Sequence, residues 1–459
     1  MKTVNLDRKF AAAIVALILI STAIGALVVQ QYFPQIGSIK AEGMEDPLEA
    51  WSEASYIIWQ YNTTFYASRN MSIWDTELST NASKVIDFAD KNMTGGTIFF
   101  RHATYSLDTP IYPSDYNRFI GEDDNTILSQ TTANSAVFHL SAGINNVHIE
   151  NMRIQNSSAG TNCTGIYLDG NYHKIMNVWL DNLAYGMVFY QSGSTCDNWY
   201  ENIYVNGFKD TGFYIVKAHD SHFEAITIGT NAVATAAIRW DEGGSGCHFT
   251  SIHIWGSATL TYGIWLGSGS GVYQYDAFWD SVEIEDNGIQ LGLYIQASAD
   301  YNHFSNLWFK SVINASVIIG DYNTFTGINL RAVGDYGLII QTATLNINGG
   351  YITDTGKTAI FISTAYLEYK AVHISNLNIY NSGTDTADSY ADIDVYHTKY
   401  IQLSGINTQG TNVRSSINFT DCTNGMLQNS WVFDKPILTS GTSTSVEIHT
   451  SYNVTAYIT

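Results

Sequence analysis

The sequence predicts an all-β solenoid, on three observations. A short pattern (large apolar, any, Asn/Ser/Gly, apolar, any, apolar, any) recurs from about residue 149. It reads Phe304-Ser305-Asn306-Leu307-Trp308-Phe309-Lys310, and again Tyr200-Glu201-Asn202-Ile203-Tyr204-Val205-Asn206. Its fifth position falls at 153, 179, 204, 227, 253, 283, 308, 329, 351, 378, 407 and 431, a period of about 25 residues. Within each repeat a second alternating strand follows, often opened by glycine, as in Gly186-Met187-Val188-Phe189-Tyr190 and Gly263-Ile264-Trp265-Leu266. Period-two alternation marks strands with one face buried. A repeat this short cannot bury that face alone, whereas stacked repeats share one core. Third, the 459 residues are 45% hydrophobic and only 14% charged, which supplies a core and excludes general disorder.

Lys2, Arg8 and Lys9 precede an uncharged run from Phe10 to Val29. Twenty such residues suit either a membrane anchor with its basic flank inside or a cleaved signal peptide, and both readings export the remainder of the chain. Residues 1–41 are therefore the targeting segment, and the expected location is extracellular or at the cell surface. Nine Asn-x-Ser/Thr sequons, at Asn62, Asn70, Asn81, Asn92, Asn156, Asn162, Asn314, Asn418 and Asn453, fit an exported glycoprotein, although a chain rich in Asn, Ser and Thr makes many by chance. Residues 42–79 form an aromatic-rich lead-in. Ala82 to Lys91 reads as a short amphipathic helix. The recurrent Asn at position three (Asn151, Asn177, Asn202, Asn306, Asn376, Asn429) sits at a turn, where stacked amides can bond from coil to coil. Cys163, Cys196, Cys247 and Cys422 have no zinc spacing and allow three disulfide pairings or none. With 21 Lys+Arg against 42 Asp+Glu and no basic run, the chain repels phosphate backbones, so no nucleic-acid partner is expected. No glycine-rich loop leads from a strand into a helix, so no nucleotide cofactor is expected.

After the helix come Gly95-Gly96-Thr97-Ile98-Phe99-Phe100-Arg101-His102-Ala103-Thr104-Tyr105 and Phe119-Ile120-Gly121-Glu122-Asp123-Asp124-Asn125-Thr126-Ile127-Leu128. This order resembles the start of right-handed parallel β-helices of the pectate-lyase-like (pectin lyase fold) superfamily. The resemblance covers roughly residues 80 to 459. It implies a helix cap and first coils over 80–148 and about twelve coils over 149–459. It reaches no catalytic family. Gly-His-Gly, Arg-Ile-Lys and Asn-Thr-Asp, motifs of the polygalacturonase-like hydrolases, are absent, and no pectate-lyase signature is recognisable.

Function must then come from the outward faces. Equivalent positions in neighbouring coils lie ~4.8 Å apart, and outward residues two apart lie ~6.6 Å apart. The fifth-position column runs Arg153, Trp179, Tyr204, Thr227, His253, Glu283, Trp308, Asn329, and the seventh runs Gln155, Asp181, Asn206, Gly229, Trp255, Glu285, Lys310, Arg331. Rings beside polar groups suit sugars, which present C–H faces and hydroxyls. Trp179, Asp181, Tyr204, Trp255 and Trp308 are the expected substrate contacts. Glu283, Glu285, Lys310, Arg331 and His253 are the expected chemical centre. Two carboxylates ~6.6 Å apart suit an inverting glycosidase, one as acid and one as base. Alternatively, by analogy with the lyases among the folds it resembles, the pair holds Ca²⁺ and Lys310 or Arg331 abstracts the proton next to a uronate carboxyl. A solvated Glu/Lys cross-strand pair accounts for the same residues without chemistry.

The first outward column of the second strand reads Tyr167, Val188, Tyr214, Arg239, Trp265, Tyr294, Ile318, Ile339, Phe361, Asp394, Asn418, Glu447, apolar from Trp265 to Phe361. Such a stripe calls for a cover: another part of the chain, or another subunit in a homotrimer. Two functions are consistent with these faces. One is a surface protein that binds and cleaves polysaccharide, as a lyase or glycoside hydrolase. The other is a non-catalytic structural or adhesive protein that assembles through the apolar face.

Overall fold

A computed structural model describes residues 54–69, 76–157, 162–190, 197–256, 259–268, 273–341, 343–364, 370–409, 412–432, 435–449 and 456–458. The apolar run 10–29 and Cys196 lie outside these. Among the described residues no helix is long and apolar enough to cross a membrane.

The chain is an all-β parallel solenoid of about 13 turns. Successive strands alternate between two long sheets. In the first, His148–Asn156, Lys174–Asp181, Trp199–Asn206, His222–Thr230, His248–Gly256, Phe278–Glu285, His303–Lys310 and Asn323–Arg331 each pair in parallel with the next. In the second, Ala136–Asn145 begins a parallel series through Thr164–Asn171, Leu260–Leu266 and Ile289–Ile295 to Ile437–Ser440. Only a coil that returns to the same place each turn gives this order.

Each strand of the first sheet bends at one residue. In Phe278–Glu285 the buried residues are Trp279, Val282 and Ile284. Trp279 and Val282 are three apart, so strict alternation is broken between them. Ser281 absorbs the break with a left-handed φ of 56°. The same column is left-handed throughout: Asn151, Asn177, Asn202, Ala225, Ser251, Asn306, Gly327, Gly349, Asn376, Gly405 and Asn429. Asn and Gly enter that region at least cost, which explains the recurrent asparagine. The predicted amide ladder forms at Asn151–Asn177–Asn202, with Nδ2 donating to Oδ1 at 2.9 and 2.7 Å. Each strand thus shows two outward arms, one before the corner and one after it.

Inside, Tyr200, Phe223, Phe249, Trp279, Phe304 and Phe325 stack through six coils with centroids 3.8–5.8 Å apart. Each such ring contributes about 1.5–3 kcal/mol by burial. Cys163, Cys247 and Cys422 are buried in this same core.

The lead-in is itself sheet. Tyr56–Tyr61 pairs in parallel with Gly96–Phe100 and antiparallel with Thr64–Arg69, which pairs with Thr76–Ser79. The helix α1, Ala82–Lys91, starts where Asn81 accepts the Ser83 N–H at 2.9 Å. Its face of Ala82, Val85, Ile86 and Ala89 joins the core with Ile98 and Phe100. Among the sequons, Asn62 and Asn92 are exposed. Asn418 is 6% exposed and donates to Asp394 at 2.9 Å, so a glycan there would disrupt the coil.

Two positions of the second-sheet column are corrected. Val317, not Ile318, stands between Tyr294 and Ile339, and Ile318 is buried. The register is anchored by a small residue two before the column. Here it is Ala315, whose carbonyl lies 2.8 Å from where a Cβ on Gly292 would stand. Alanine in place of glycine hides that anchor, and a one-residue slip flips the face. Leu438, not Glu447, follows Asn418, because Glu447–His449 pairs with Gly425–Gln428 in the first sheet. The apolar stripe is therefore Trp265, Tyr294, Val317, Ile339 and Phe361, all half-buried.

Candidate functional site

The register places the expected residues together. On the arm after the corner, His253 pairs with Glu283 and Glu283 with Trp308. Beside them Trp255 pairs with Glu285, Glu285 with Lys310 and Lys310 with Arg331. The strands hold these side chains outward because Ile252, Ile254, Val282, Ile284, Leu307 and Phe309, which alternate with them, are buried.

The charges interlock, one pair in register and one on the diagonal. Glu285 accepts the Lys310 ammonium at 2.9 Å on one oxygen, and His253 Nε2 lies 3.2 Å from the other. Lys310 first, and then His253, hold the Glu285 carboxyl below the usual carboxylate range, against the smaller opposing effect of burial. All three groups are partly exposed, so the pairs stabilise the fold little. Their effect is on protonation: Glu285 stays an anion. Among the described residues Glu283 has no hydrogen-bond or ion-pair partner, and it is half-buried. Arg331 is exposed one coil beyond Lys310.

The rings fall in two groups. Trp308 is 39% exposed and stands directly beside Glu283. The Trp255 ring lies across Gly229 of the preceding coil: a Cβ there would sit 1.9 Å from it. Three and two coils before His253, Trp179 and Tyr204 meet edge to face at 5.1 Å. Asp181, expected to contact substrate, is 4% exposed and ion-paired with Arg153, whose guanidinium lies 5.9 Å over Trp179. Asp181 is therefore covered, and its ion pair holds Arg153 at the surface. Thr227 and Gly229 lie between the two groups, and the Trp255 ring covers Gly229. Gly229 and Arg153 are the residues that sequence reasoning did not select. Their signal was present: a gap in the seventh column before a tryptophan, and a cation diagonal to a carboxylate.

One atom each from His253, Glu283 and Glu285 lies within 4.8 Å of the others, close enough to share one metal ion. Ca²⁺ takes six to eight oxygen ligands. Here an imidazole supplies a third of the donors and an ammonium already occupies Glu285, so the set does not fit Ca²⁺.

No protein-family model matches the sequence, and no curated protein matches it. Solved structures match it by shape. The pre-mature form of bacteriophage phi29 gene product 12 gives a TM-score of 0.53 at 12% identity, over 82% of this chain and 55% of that one. Its N-terminal fragment gives 0.51 at 12% identity, over 81% and 69%. A tailspike protein mutant of E. coli bacteriophage HK620, in complex with a hexasaccharide, gives 0.48 at 11% identity, over 81% and 74%. The chain spans little more than half of the pre-mature gene product. The two likenesses to gene product 12 concern the fold alone, a parallel β-solenoid.

Proposed function

We propose that this chain is an exported surface protein that binds polysaccharide along the arm centred on Glu283 and Glu285. The observation that carries the reading is the row of partly exposed rings, Trp179, Tyr204, Trp255 and Trp308, beside His253, Glu283, Glu285 and Lys310 on one face of consecutive coils. The rings take the C–H faces of sugars, and the charged groups take the hydroxyls. The apolar run 10–29 would carry the chain to the surface. Affinity electrophoresis against neutral and uronate polysaccharides tests the reading: a bound polysaccharide should release Trp308→Ala about tenfold more readily, the cost of one ring contact. Binding unchanged in that variant counts against it.

Cleavage is the finer reading, favoured by the asymmetry of the two carboxylates. Glu285, held ionised by Lys310 and His253, would serve as base, with Glu283 as the second carboxyl group beside the scissile bond. New reducing ends that vanish in Glu283→Gln would support it; ends that persist would sink it. Assembly is a second reading, favoured by the half-buried stripe from Trp265 to Phe361. A monomer in analytical ultracentrifugation would remove the homotrimer.

A further inference from the structure

The arm before the corner carries a different surface. In five consecutive coils its first outward position is a ring: Trp199, His222, His248, Phe278 and His303, paired in register. The rings stack with centroids 4.7, 5.2, 4.9 and 5.1 Å apart and interplanar angles of 25° or less. Stacking covers the ring faces inside the row and turns the ring edges, with their imidazole nitrogens, to solvent. The next coil carries Thr324 instead, so the face of the last ring is left without a ring neighbour. His303 Nδ1 lies 2.7 Å from the Thr324 hydroxyl.

Two residues along each strand a second column runs parallel to the rings: Glu201, Glu224, Thr250, Asp280, Ser305 and Thr326. The columns wall a trough that opens, where the ring row ends, into a recess of about 380 Å³ bounded by Phe278, Asp280, His303, Ser305, Thr324 and Thr326. This is room for a small ligand. Phe278 is 42% exposed at its rim.

We propose that this recess and its trough bind an uncharged, hydroxyl-rich oligosaccharide, as a site separate from the Glu283 face. The ligand class follows from the walls. Neither column holds Lys or Arg between residues 199 and 326, while Glu201, Glu224 and Asp280 lie on one side. A uronate, sulfate or phosphate is therefore repelled. The carboxylates also do not call for a cation, because neutral donors already serve two of them. Asp280 accepts from Ser305, from Ser281 at 3.0 Å and from Asn306 at 3.1 Å, and Glu201 accepts the Trp199 indole N–H at 3.2 Å. What remains open is a ring face for C–H groups, flanked by hydroxyls and imidazole edges that both donate and accept.

The proposal rests on the reading of this chain as glycan-binding, and the test separates the two. Neutral hexasaccharides of glucose, galactose and mannose, oligogalacturonate and oligolysine would be titrated calorimetrically into the full chain and three variants. Thr326→Trp fills the recess from an exposed position, Phe278→Ala removes its apolar rim, and Trp308→Ala impairs the other face. Far- and near-ultraviolet circular dichroism would confirm that each is folded. The expected result is a neutral hexasaccharide bound about tenfold more weakly by Thr326→Trp and by Phe278→Ala, with no oligogalacturonate at this site. A neutral sugar that follows Trp308→Ala and ignores Thr326→Trp overturns the proposal and leaves the Glu283 face standing. Oligolysine binding that Thr326→Trp abolishes, in place of sugar binding, overturns the ligand class. No sugar bound by any form overturns both readings.

Discussion

Acidification should cost this fold about 3 kcal/mol through one histidine. His173 is 1% exposed, between the strands Thr164–Asn171 and Lys174–Asp181. Its Nδ1 accepts the Val147 N–H at 3.3 Å, and Asn198 accepts its backbone N–H at 2.7 Å. Its Nε2 is buried with no hydrogen-bond partner among the described residues. A proton on Nδ1 would face a donor, and the resulting charge would lie out of water. Burial first, and then nearby His148, push the imidazole down from 6.5 to about 4. Below pH 6.5 the unfolded chain therefore takes up a proton that the folded chain refuses. The stabilisation is full above 6.5 and drains away as pH falls towards 4. The gap corresponds to about 3 kcal/mol at pH 4. Carboxylates titrate in the same window, so the assay is a comparison. Urea unfolding would be followed at about pH 7 and pH 4 for the wild type and for His173→Asn, which keeps an acceptor near Nδ1 but does not titrate. The wild type should lose about 3 kcal/mol more than the variant over that interval. Equal losses would refute the reasoning.

Three further perturbations test the packing and the charges. Gly229→Ala should displace the Trp255 ring, lower stability by about 1–3 kcal/mol and shift tryptophan emission to the red; unchanged emission would mean that the ring does not rest on Gly229. Trp279→Ala opens the core stack between Phe249 and Phe304 and should cost about 3–5 kcal/mol in urea unfolding, where a loss below 1 kcal/mol would contradict the stacked core. Lys310→Ala removes the largest influence holding the Glu285 carboxyl down. Loss of glycan binding on acidification should then begin at higher pH than in the wild type, and an unmoved acid limb would argue against the pairing.

The solenoid was legible because its two rules are local. The left-handed corner selects Asn, Ser or Gly, and the alternation on either side needs no knowledge of partners. The fifth-position column follows the observed pairing from Arg153 to Trp431. The second sheet slipped at Ile318 because its anchor is only a small residue, and Ala315 does not look like Gly292. Within the site, shared columns were legible but diagonals were not. The contact of His253 with Glu285, and that of Arg153 with Asp181, depend on rotamers that the register leaves open. The external ring row stayed hidden for another reason. Trp199, His222, His248, Phe278 and His303 belong to no one hydropathy class, and they precede the apolar residue that opens each repeat.

The central claim is that the face around Glu283 and Glu285 holds polysaccharide. Its most direct test is retention of the full chain on a panel of immobilised neutral and uronate polysaccharides, beside Trp308→Ala and the Glu283→Gln/Glu285→Gln double variant, all with matched circular dichroism. At least one polysaccharide should retain the wild type and release both variants about tenfold more readily. No retention on any polysaccharide, or retention indifferent to both variants, would contradict it.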